Sequence, residues 1–146
     1  MRNILSIRAL AWTVGALFLA AATIPVAAQA GGRAEVIIKR IIVRDAGNSL
    51  EAAVTVDVNG LDLVEKLGEE PVANEGHLHF YADVDVPTTP NSPAVTEEGT
   101  YVVTADDSYT WTGLTKGEHT FGVQAVQNDH TSFTRSEEHT SELQSL

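Results

Sequence analysis

Two short stretches in which apolar and polar residues strictly alternate constrain the fold more than anything else in this chain. Between Leu50 and Val58, residues Leu50, Ala52, Val54, Val56 and Val58 share one parity, and Glu51, Thr55 and Asp57 take the other. Between Gly76 and Asp85, residues Leu78, Phe80, Ala82 and Val84 alternate with His77, His79, Tyr81 and Asp83. Successive residues of a strand face opposite sides of the pleat, so a period of two marks a half-buried strand and no helix can present it.

The rest of the central region follows the same grammar. Residues 34–44 are rich in Val and Ile and carry no helix cap, which predicts another strand. Asp45-Ala46-Gly47-Asn48 is a turn cluster, and Asn59-Gly60 is the strongest short hairpin signal in the chain. Leu61, Leu63, Val64 and Leu67 fit a short strand or one helical turn. Pro87, Pro90 and Pro93 exclude a central strand from the loop they occupy. Residues 100–105 and 108–111 read as short strands joined at Asp106-Asp107, and residues 120–127 as a longer one. Six or seven short strands at this spacing predict an all-β antiparallel sandwich. Its expected core includes Val54, Val56, Leu78, Phe80, Ala82, Trp111, Phe121, Val123 and Ala125.

The two ends read differently from the middle. Arg2 and Arg8 precede an apolar run from Ala9 to Val26, and Ala28-Gln29-Ala30 has the small-x-small form of a signal-peptidase site. Residues 1–30 are therefore expected to be a signal peptide cleaved near Ala30, with an uncleaved membrane anchor as the alternative. Export predicts a periplasmic or extracellular domain with no stable membrane association after cleavage. At the other end, Arg135-Ser136-Glu137-Glu138-His139-Thr140-Ser141-Glu142-Leu143-Gln144-Ser145 reads as the in-frame translation of a widely used short-read sequencing adapter. Residues 135–146 are set aside as a foreign tail on that reading, which leaves residues 31–134 as one domain that lacks its last strand.

Charge narrows the partners. In residues 31–134 the cations are Arg33, Lys39, Arg40, Arg44, Lys66 and Lys116, against seventeen Asp and Glu, and the whole chain carries a formal −11. Such a surface repels nucleic acid and anionic lipid headgroups and attracts cations. The chain has no cysteine, so disulfides and thiolate metal sites are both excluded.

The corner Leu114, Gly117 and His119, entering an alternating strand, resembles the E–F corner of immunoglobulin-like and fibronectin-like domains, where a tyrosine usually sits. The resemblance gives strand 76–85 the C role and strand 119–127 the F role, and implies that they pair antiparallel. His119 then replaces the corner tyrosine and bonds to backbone. A wider set of residues resembles small exported bacterial and archaeal domains described as cupredoxin-like. These are Gly76-His77-Leu78-His79-Phe80-Tyr81, Val86-Pro87-Thr88-Thr89-Pro90, Ser108-Tyr109-Thr110-Trp111, Gly117-Glu118-His119-Thr120 and Asn128-Asp129-His130-Thr131. They lie within roughly half of the chain.

His77 and His79 stand at i and i+2, about 6.5–7 Å apart on one face of a strand, so both can reach one ion. Antiparallel pairing of strands 76–85 and 119–127 would bring His130 beside them, and would place His119 at the opposite end. The candidate metal ligands are therefore His77, His79 and His130, with Asp129, Glu75 or Tyr81 nearby. Imidazole ligands suit copper, zinc or nickel, and the affinity order puts copper first with zinc as runner-up. A blue-copper site is excluded, because it needs a thiolate and the chain has none. Against this stands a plain structural or adhesive sandwich, in which the histidines occupy a solvated face and an ordinary turn. No motif for nucleophilic, phosphoryl-transfer or zinc-protease chemistry is present, and the domain is expected not to be an enzyme.

Overall fold

The computed structural model describes residues 34–133, together with two short strands at residues 136–137 and 139–143; the expected signal peptide lies outside the described residues. Among the described residues, nine strands run in chain order. They are β1 (Ala34–Asp45), β2 (Leu50–Asn59), β3 (Asp62–Leu63), β4 (Glu75–Ala82), β5 (Tyr101–Thr104), β6 (Ser108–Leu114), β7 (His119–Val126), β8 (Ser136–Glu137) and β9 (His139–Leu143). No helix occurs among the described residues.

The strands form two sheets. The first has the order β6-β2-β1-β8; the second has the order β3-β4-β7-β9, with β5 also paired to β4. Most pairs are antiparallel, while β1–β8 and β3–β4 are parallel. One buried cluster draws on both sheets. Ala34, Val36, Ala52, Val54, Val56 and Trp111 come from the first, and Leu78, Phe80, Ala82, Phe121, Val123 and Ala125 from the second. Every core residue expected from the alternation is in it, and each large apolar side chain so buried contributes roughly 1.5–3 kcal/mol.

Local chemistry explains where strands end. At the β1–β2 turn, Ala46 N–H donates to the Ser49 carbonyl, and Gly47, at φ 85°, donates to Asp45 Oδ1. The Asn59-Gly60 turn does not make the hairpin its sequence suggests. Gly60 adopts φ 70°, but the chain leaves the first sheet there, and β3 pairs in parallel with β4. Residues 104–108 also carry the chain between sheets, since β5 pairs with β4 and β6 with β2. Strand β4 stops at Ala82, short of the predicted Asp85, because Asp83 turns into the left-handed region at φ 56°.

β4 and β7 pair antiparallel, with His77 opposite Val126 and Ala82 opposite Phe121. Reading the sequence without its tail leaves the outer edge of β7 bare. In the structure that edge pairs with β9, from His119 opposite Leu143 to Val123 opposite His139.

Candidate metal centre

The second sheet has an inner face, turned to the shared core, and an outer face that carries His77, His79 and Tyr81. The outer face is not solvated, as the structural alternative would have it: all three side chains are fully buried. The cover is a loop with no hydrophobic periodicity, the proline-rich segment 86–94, stitched to the segment after β7. Asn91 N–H donates to the Ser132 carbonyl, Ser132 N–H to Ser92, and Ala94 N–H to His130. Gly122 lies under this cover, where an added Cβ would overlap Val86 Cγ2.

His130 reaches the strand histidines from a tight turn. Gln127 N–H donates to the Thr131 carbonyl and His130 N–H to the Gln127 carbonyl, while Asp129 Oδ1 accepts from Thr131 N–H and Oγ1. The turn holds His130 at φ 65°, a conformation that costs a non-glycine residue on the order of 1 kcal/mol. The result is a near-equilateral triangle of nitrogens. His77 Nε2 and His79 Nε2 are 3.1 Å apart, His79 Nε2 and His130 Nδ1 3.2 Å, and His77 Nε2 and His130 Nδ1 3.3 Å.

Three imidazole nitrogens in this arrangement cannot all be satisfied by one another. Each neutral ring presents either one donor or one lone pair, so at least one of the three pairs sets like against like. Protonation is also resisted: burial, with His130 adjacent, pushes His77 down to about 4, although Asp129 opposes the shift. Burial pushes His79 down to about 4 as well, against the opposing effect of its bond to Ala94. A cation that takes all three lone pairs removes the conflict. The centre of a triangle with 3.2 Å edges lies about 1.85 Å from each corner, so metal–nitrogen bonds of ~2.0–2.1 Å place an ion just off its plane.

The second ring nitrogens differ between the strand histidines. His79 Nδ1 meets the Ala94 carbonyl at 2.7 Å. His77 Nδ1 is buried without a hydrogen-bond partner among the described residues, so nothing there selects its tautomer. The other expected neighbours are engaged elsewhere. Glu75 pairs with Lys66 at 2.6 Å, Asp129 caps its own turn, and the Tyr81 hydroxyl lies against Ala94 and Gln124. Among the described residues, the one group of three or more potential ligands is His77, His79 and His130, with no carboxylate in it.

His119 lies at the far end of β7, away from this cluster, as the spacing requires. Its Nε2 bonds to the Thr115 carbonyl and its Nδ1 to Asp83 Oδ2, both at 2.7 Å. Both partners are acceptors, which favours the doubly protonated ring; the Thr115 carbonyl first, and Asp83 with it, raise its pKa. The backbone bond was expected from the corner pattern. The Asp83 bond was not, because it depends on the left-handed turn that ends β4. The sequence also hides the burial of Tyr81 and Gln124. Its one signal is an amide set in the otherwise apolar run from Phe121 to Val126.

Comparison with protein-family models, with curated proteins and with solved structures finds no match.

Proposed function

We propose that this protein is a non-catalytic, exported β-sandwich that binds one transition-metal ion through His77, His79 and His130. The carrying observation is the nitrogen triangle: three imidazole nitrogens share one space that hydrogen bonds among themselves cannot satisfy and that an ion fits. With three protein ligands, a fourth coordination position remains for water or an exchanging ligand, as suits a carrier or buffer rather than a permanently closed structural site. The resemblance to cupredoxin-like exported domains bears on the fold and on export rather than on the metal, and without a cysteine it implies no blue-copper chemistry.

Two ions compete. The affinity order favours copper. Geometry favours zinc: three equal edges suit a tetrahedral ion, whereas square-planar Cu(II) needs one trans nitrogen pair about 4 Å apart, twice a ~2 Å bond. Calorimetric titration of the chain with each ion tests the reading, and competition between the ions ranks them. One equivalent should bind to the wild type, and binding should be lost in His130→Ala. Absence of binding to either ion would leave a structural or adhesive domain instead.

A further inference from the structure

Behind the histidines lies a buried chain of polar contacts that takes no direct part in ligation. Gln124 is wholly buried on β7, opposite His79 in register. Its Nε2 donates to the Pro87 carbonyl at 2.8 Å and to Ser132 Oγ at 3.1 Å. These acceptors fix which way the amide points, so Oε1 is turned toward Tyr81. The Tyr81 hydroxyl lies 3.1 Å from that oxygen and 2.8 Å from the Ala94 carbonyl oxygen. Both are acceptors. The single hydroxyl proton is shared between these two oxygens, which anchors the Ala94 carbonyl against the Gln124 amide, and is not offered to His79 Nδ1, which is 3.4 Å away. What Nδ1 does meet is the Ala94 carbonyl, which can only accept, so Nδ1 must carry the hydrogen.

We infer that Tyr81 and Gln124 are positioning residues for the cluster. Through the Ala94 carbonyl they hold His79 as its Nδ1–H tautomer and keep the Nε2 lone pair directed at the space shared with His77 and His130. The hydrogen bond made by one ring nitrogen determines which nitrogen can bind a metal. Packing alone does not account for these residues. Phenylalanine and methionine would fill much the same volume without burying a hydroxyl and an amide, whose networks are costly unless fully paired. Ala94 extends the device to a second ligand, since its N–H donates to the His130 carbonyl while its own carbonyl receives His79. One peptide segment thus indexes two of the three ligands against each other.

The role given to Tyr81 and Gln124 rests on the metal-site reading, but the tautomer is measured in chain stripped of metal with a chelator, so the two fail separately. Nitrogen-15 correlation spectra of the histidine rings at pH 7.5 should show His79 with a pyrrole-like Nδ1 and a pyridine-like Nε2. Tyr81→Phe and Gln124→Met should move both shifts toward averaged values. In the same variants zinc or copper affinity should fall about tenfold or more, the usual effect of removing an outer hydrogen-bonding partner of a ligand. Tyr101→Phe, which keeps the ring beside His79, should change neither. A wild-type His79 in the Nε2–H form would overturn the inference even if neither variant folded. Unchanged His79 shifts in folded Tyr81→Phe and Gln124→Met would overturn it equally.

Discussion

Two histidine environments in this protein respond to pH with opposite signs. His77 and His79 are held neutral by burial, with values pushed down to about 4 from an ordinary 6.5. The unfolded chain therefore takes up protons first. Their contribution to stability is complete above about pH 6.5 and is lost as pH falls toward 4. The Thr115 carbonyl, and Asp83 with it, favour the protonated form of His119, so its value is raised. Its contribution is complete below its ordinary value and is lost as pH rises through the raised one. Urea midpoints of the metal-free chain should therefore peak between these limbs, near pH 6–7. His119→Phe should abolish the alkaline decline and keep the acid one. A decline confined to the acid side in the wild type would show that the Asp83–His119 pair carries no net linkage.

At the scale of elements, the centre depends on how closely β4 approaches β7. Gly76 has no Cβ, and one added there would overlap the Val126 carbonyl on the neighbouring strand. Gly76→Ala should force the strands apart next to His77, at a cost of roughly 1–3 kcal/mol. A thermal melt should show Tm lower by several degrees, and metal titration should show affinity reduced as well. The sequence made β4 and β7 legible because alternation at Leu78, Phe80 and Ala82 is a local property of a pleated strand. It also placed His77, His79 and His130 at one end of a sheet, since antiparallel register follows from the strand positions. It did not reveal that His77, His79 and Tyr81 are buried. Their cover is a proline-rich loop whose hold comes from backbone hydrogen bonds to Ser132 and His130, and such bonds leave no pattern in side-chain hydrophobicity. Asn59-Gly60 misled for a related reason: the turn forms, but β2 already has β1 and β6 as neighbours, so β3 joins the other sheet.

For the whole molecule, the outer edge of β7 is the exposed question of assembly. Residues 139–143 occupy it. A chain ending at residue 134 should leave that edge unpaired and should aggregate faster by light scattering, since open edges template further pairing. Equal scattering from both lengths would show that the tail does not protect the edge in solution. The ligand positions have a topological consequence of their own. His77 and His130 are 53 residues apart in a chain without a single cysteine. An ion shared by them would cross-link the chain as a disulfide does, closing a loop whose entropy in the unfolded state is worth roughly 4 kcal/mol. Unlike a disulfide, such a staple made with zinc would be indifferent to reductants and would open to acid or a competing chelator.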